Sequence, residues 1–116
     1  MVITNEAPNV RRETMDVTTR MSGDTLIVKV AGAVDTPAAE ILRSELSKIA
    51  AQRPARVIMD LSMVPTMGSS GIGKILMFFK TLDSTRASFE IKGIHENLYG
   101  IFKAVKLDKL FPVSMR

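Results

Sequence analysis

The chain has 116 residues, 46% of them hydrophobic, and a formal net charge of +4. This length holds one domain with one real core and excludes two large ones. Cysteine is absent, which excludes disulfides, thiol catalysis and cysteine-ligated metals and suits a cytoplasmic protein. Residues 1–12 are polar, contain Pro8 and lack periodicity, so they read as a loose arm ahead of a single domain over 13–116. No long apolar run follows a basic start, and no stretch nears the ~18 apolar residues of a membrane span. Neither a secretory signal nor membrane insertion is expected. From Thr14 to Met21 the chain alternates, with Met15, Val17, Thr19 and Met21 on one face. "SGD", Ser22 to Asp24, is turn chemistry, and the richer "TLIVKVAG" completes a hairpin.

The period then changes. In "DTPAAEILRSELSKIAAQ", Pro37 suits the first helical position and makes Thr36 the expected N-cap, with Asp35 expected to help cap or turn into the helix. Ala38, Leu42, Leu46 and Ile49 share one face, and the helix ends before Pro54. Val57 to Leu61, "VIMDL", is short and almost wholly apolar, the pattern of a central strand. A helix follows from about Ser69. Ile72, Ile75, Leu76, Phe79 and Leu82 form its inward arc, Lys74, Met77 and Thr81 lie opposite, and Phe78 lies on the flank. "ASFEIKGI" is an alternating strand with Phe89 and Ile91 inward. "ENLYGIFKAVKLDKLF" is an amphipathic helix through Leu98, Ile101, Phe102 and Val105, and "FPVSMR" leaves room for a short edge strand. The order β-β-α-β-α-β-α-(β) predicts an α/β fold. Its sheet is mixed, of four to five strands, with helices packed mainly on one face.

"TMGSSGIGKIL", Thr66 to Leu76, carries the chemistry. Gly68, Gly73 and Lys74 fit the phosphate-loop pattern G-x-x-x-x-G-K, which makes a small nucleotide-binding protein one reading. That pattern requires a hydroxyl directly after the lysine to bind magnesium, and Ile75 stands there. "SMVPTM" also intervenes between the strand and Gly68. The competing reading starts from Ser69 and Ser70, placed where a helix begins. Serine is a favoured cap, and a phosphoryl group at a helix start is stabilised by the dipole. Phosphorylation there would change surface charge by nearly two units without melting the helix, which suits a binding switch. The basic residues are scattered and no RNA-binding aromatic motif accompanies them, so no nucleic-acid partner is expected. His95 stands alone, so no metal site and no Ser-His-Asp set is expected. Met77, on the solvent arc, is either a scattered exposed apolar residue or a partner contact, and contact is preferred.

"VIMDLSMVPTMGSSGIGKIL" resembles the signature of the STAS domain, in particular of bacterial anti-sigma factor antagonists. That signature runs from an apolar strand through Asp-Leu-Ser to Asp-Ser-Ser-Gly-Leu-Gly at a helix start. "VAGAVDTPAAEILRSEL" and "IHENLYGIFKAVKLDKLF" resemble the family's first helix and its terminal segment, so the resemblance spans about Thr14 to Val113. It implies a STAS-like fold and a non-enzymatic, serine-phosphorylation-controlled binding switch in a partner-switching pathway. Ser69 matches the phosphorylated serine. The implied partners are an anti-sigma factor with serine kinase activity and a PP2C-type phosphatase, with no cofactor. Asp35, Gly68, Ser70, Gly71, Lys74, Met77 and Phe78 are the expected partner-binding residues. Two departures stand out. Gly68 replaces the family's aspartate, and the chain stops soon after Phe111 where relatives commonly add a helix, so one side of the sheet is expected to be less covered. A STAS interaction module that is not phosphorylated, bound to a transporter ATPase or signalling complex, is the alternative.

Overall fold

The computed structural model describes residues 15–116, and the arm at 1–12 lies outside them. The elements are β1 (Asp16–Ser22), β2 (Thr25–Ala31), α1 (Thr36–Ala51), β3 (Arg56–Met63), α2 (Ser69–Ser84), β4 (Ser88–Ile94), α3 (Glu96–Ala104), a 3-10 turn (Leu107–Lys109) and β5 (Val113–Met115). The five strands lie in the order β1-β2-β3-β4-β5. β1 pairs antiparallel with β2, and every later neighbour pairs parallel. Each of the three crossovers moves one strand in the same direction. Right-handed connections therefore put all three helices on the same face.

Period-two patterning fixes that face. Leu26, Val57 and Phe89 stand in one row across β2, β3 and β4, and Val28, Met59 and Ile91 form the next. All six are buried, against Leu42 and Leu46 of α1, Ile75 and Leu82 of α2, and Leu98 and Phe102 of α3. The opposite face carries Ile27, Lys29, Ile58, Asp60, Glu90 and Lys92, half-buried or exposed, with Arg56 and Glu90 paired at 3.2 Å. The hairpin turns on Gly23 and Asp24 between the pair Ser22 and Thr25, and Gly23 takes φ +65°. An L side chain would be strained there.

Three details differ from the sequence pattern. Along β1, Met15 is buried and Val17 half-buried, but Thr19 is exposed and Met21 is 59% exposed. They share the inward face, yet no helix reaches over that edge. Next, the buried stripe of α2 is Gly71, Ile75, Phe78 and Leu82. Ile72, Leu76 and Phe79 are half-buried, because the helix packs sideways on α1 as well as down on the sheet. Phe89 sits beneath this seam. Phe78 meets it edge-on at 5.6 Å and Phe79 approaches it at 6.4 Å, so both phenylalanines turn inward. Finally, α3 stops at Ala104, and Lys106 takes φ +65° to turn the chain. Ile101 and Val105 consequently remain outside, 44% and 53% exposed.

Candidate functional site

The connections leaving β2 and β3 are stapled together beyond the sheet proper. Gly32 N donates to Met63 O at 2.9 Å, Val34 N to Thr66 O at 3.0 Å, and Gly68 N to Val34 O at 3.0 Å. A parallel bridge joins Val34 to Met67. These bonds set the starts of α1 and α2 side by side, both pointing out of the same end of the sheet.

The first turn of α1 is capped by Asp35, not by Thr36 as its sequence suggests. Asp35 has extended backbone, and its Oδ1 accepts from Ala38 N at 3.0 Å. A carboxylate one residue earlier reaches a free N–H of the first turn and still leaves Pro37 where it needs no donor. The Thr36 hydroxyl is left to meet Ser70 Oγ across the seam, 3.3 Å away.

The start of α2 is built differently. Gly68 is its cap, with extended backbone and no side-chain hydrogen bond, so neither serine caps the helix. The first helical bond joins Ile72 N to Gly68 O at 3.2 Å. The N–H groups of Ser69, Ser70 and Gly71 precede it and have no intrahelical acceptor. Ser69 is exposed as the first helical residue, and Ser70 is half-buried toward α1. Gly71 is buried where α2 crosses the stapled loops. A Cβ there would lie 2.8 Å from both Met67 Cγ and Val34 Cγ1. Gly68 is unlike it, since an added Cβ would meet only Val34 O at 3.9 Å.

One turn further along, Lys74 Nζ binds Glu40 Oε2 at 3.2 Å, and Glu40 also accepts from Arg43 Nε at 3.1 Å. These bonds, from Arg43 first and then Lys74, hold the Glu40 carboxyl below its ordinary 4.5. The lysine of the glycine-lysine pattern thus points at a carboxylate of α1. Ile75 beside it is fully buried and offers no magnesium-binding hydroxyl. Glu40 was not singled out from sequence, and Thr36 only as a cap. Their one available signal is spacing: Glu40 follows Thr36 by four residues as Lys74 follows Ser70, so parallel helices bring both pairs into line.

Of the residues expected to meet a partner, Asp35, Gly68, Ser70 and Lys74 gather at this end, with Ser69, the expected phosphorylation site, between Gly68 and Ser70. Met77 is two turns down α2 and 61% exposed. Phe78 departs from expectation. It is 4% exposed and belongs to the core beneath the α1–α2 seam, so it supports the surface without forming it. Gly71 likewise acts through close packing. Below Lys74 the seam opens into a groove of about 520 Å³, because Ser47, Ala50 and Ala51 face Thr81, Ser84 and Thr85 and small side chains leave it unfilled. His95 precedes α3, with Nε2 3.2 Å from Ser62 O. Among the described residues no cluster of three His, Asp or Glu is placed to hold a metal, and no helix is long and apolar enough to cross a membrane.

The family model of the STAS domain matches residues 16–116. The anti-sigma-B factor antagonist of Bacillus subtilis (strain 168) is 26% identical over 102 residues, spanning 88% of this chain and 93% of that protein. The crystal structure of an anti-sigma factor antagonist from Mycobacterium paratuberculosis superposes with a TM-score of 0.81 at 22% identity, covering 88% of this chain and 86% of that one. The Bacillus cell fate determinant SpoIIAA in its phosphorylated form gives a TM-score of 0.68 at 18% identity, covering 87% and 93%. At such identities the structural likeness speaks for the fold.

Proposed function

The chain belongs to the STAS domain family, and from that premise we propose that it is an anti-sigma factor antagonist whose binding is switched by phosphorylation of Ser69. The observation that carries this reading is the division of labour at the start of α2. Gly68 occupies the cap position, so the exposed Ser69 hydroxyl is not committed to capping. An anti-sigma factor with serine kinase activity would transfer the γ-phosphoryl group of ATP to Ser69 Oγ. The Oγ–P bond forms as the bond to the ADP oxygen breaks, and the hydroxyl proton passes to the kinase. A PP2C-type phosphatase would return the serine by hydrolysis. In this scheme the chain is substrate and ligand and performs no catalysis, in the cytoplasm where its partners work.

The dianion would sit beside three N–H groups without intrahelical acceptors, at the positive end of the helix dipole. Folding tolerates it there. Binding does not, because a partner packed over Asp35, Gly68, Ser70, Lys74 and Met77 would have to desolvate a new charge. The test uses an anti-sigma factor with serine kinase activity, with calorimetry and phosphosite mapping. Ser69→Asp should change folding stability by less than about 1 kcal/mol and weaken binding by about 2 kcal/mol or more. Ser69→Ala should keep binding and lose phosphorylation. Ser70→Asp should behave differently, since its hydroxyl faces Thr36 at 3.3 Å. Wild-type affinity in Ser69→Asp would remove the switch. The unphosphorylated interaction module would then stand, a reading already favoured locally by the missing carboxylate at Gly68.

A further inference from the structure

The foot of α3 carries chemistry that the docking end does not use. Ile101 and Val105, four residues apart and so on one helix face, are 44% and 53% exposed, and Leu110 is 48% exposed. Core packing in this stretch is done by Leu98, Phe102, Leu107 and Phe111 instead. Lys103, Lys106 and Lys109 are exposed in the same stretch of chain, Lys103 about 200° around α3 from Ile101. The acids from the start of α3 to Arg116 are Glu96, exposed in the first turn, and Asp108. The Asp108 Oδ1 is enclosed by protein and has no hydrogen-bond partner, so that oxygen is turned away from solvent. The stretch from α3 through the 3-10 turn thus exposes aliphatic side chains and lysines together.

We propose that this surface attaches the protein peripherally to membranes bearing anionic lipid headgroups. Lysines beside an anionic leaflet and aliphatic tips at the headgroup boundary reinforce each other, and no spanning segment is required. A protein partner in place of lipid would leave the chain unbound by anionic vesicles, the outcome that overturns the proposal. Nucleic acid would use the lysines and gain nothing from the aliphatics. The position also leaves the docking end free. α3 starts beside Ser62, at the end of the sheet where α2 begins, and its nine residues carry the chain about 13 Å away. Attachment is independent of the partner-switch reading, and either can fail without the other.

The test is cosedimentation of the full chain with vesicles of phosphatidylcholine alone, and with vesicles containing about one-third phosphatidylglycerol. Binding is expected with the anionic vesicles only and should fade as salt is raised. Each of Lys103→Gln, Lys106→Gln and Lys109→Gln should weaken it about fivefold. The double variant Ile101→Gln, Val105→Gln should weaken it about tenfold, with an unchanged circular dichroism spectrum showing that it folds. Failure to bind anionic vesicles would overturn the proposal. So would an undiminished double variant that also captures polyglutamate or duplex DNA, the signature of a bare cationic surface.

Discussion

Two helices begin side by side at one end of this sheet, with nearly the same cap backbone and opposite chemistry. Asp35 and Gly68 both take extended conformations, with φ −84° and −83°. Asp35 spends its carboxylate on a free N–H of α1, whereas Gly68 contributes no side chain to α2. The start of α2 is held by other means: the Gly68 N–H bonded to Val34, and the close crossing at Gly71. One helix start is closed by its own side chain. The other is fixed from behind, and the N–H groups of its first turn have no intrahelical acceptor.

The largest expected effect breaks the support behind α2. Gly71→Ala places a methyl group 2.8 Å from a Val34 methyl that cannot swing away, and 2.8 Å from Met67 Cγ. Overpacking of this kind costs about 1–3 kcal/mol, read as a lower urea midpoint. Gly73→Ala is the control two residues on. Nothing lies within 4 Å of its added Cβ, so it should stabilise by about 0.5–1 kcal/mol through helix propensity. Equal effects from the two would mean that the close crossing does not fix the helix start. Next in size, Asp35→Ala removes the closed cap and should cost about 1 kcal/mol. Gly68→Asp makes the two starts alike. It has room for the side chain, and since glycine is already a fair cap it should gain only a few tenths of a kcal/mol. The same variant restores the aspartate of the antagonist motif, so kinase assays on it ask whether that carboxylate contributes to recognition of Ser69.

The sheet was readable because its strands are buried on a single face. Phe89 and Ile91 alternate with polar neighbours, and period two survives any helix placement. Val57 to Leu61 is legible as an apolar run, of which Val57, Met59 and Leu61 are buried and Ile58 and Asp60 half-buried. The face of α1 was equally plain. Phe78 was not, because a wheel of α2 alone does not reveal that α1 presses on its flank and that Phe89 lies beneath. Ile101 and Val105 continue the period of α3, but Lys106 turns the chain before that period can be buried. At the site, the serine pair and Gly68 were visible as a motif. The choice between Asp35 and Thr36 as cap was hidden, since adjacent Asp and Thr are both good caps. The Glu40–Lys74 pair required knowing which helices lie side by side.

The smallest expected effect concerns the polar seam that joins the two helices just below their starts. Glu40 accepts from Arg43 and Lys74, and its carboxyl is held below 4.5 in the folded chain. A group with a depressed folded pKa contributes stability above its unfolded pKa and loses that contribution as pH falls through the folded value. The tie between α1 and α2 should therefore be complete at neutral pH and weaken only in acid, below 4.5. Glu40 is 58% exposed, so salt screens the pair and its contribution stays small. Glu40→Gln cannot titrate. Urea midpoints of wild type and Glu40→Gln should differ slightly at neutral pH, converge as the solution is acidified, and converge at high salt without any acid. A difference that survives both acid and salt would mean that the charge of Glu40 is not what sets its contribution. The two helix starts would then be joined by the Thr36–Ser70 contact and the stapled loops alone.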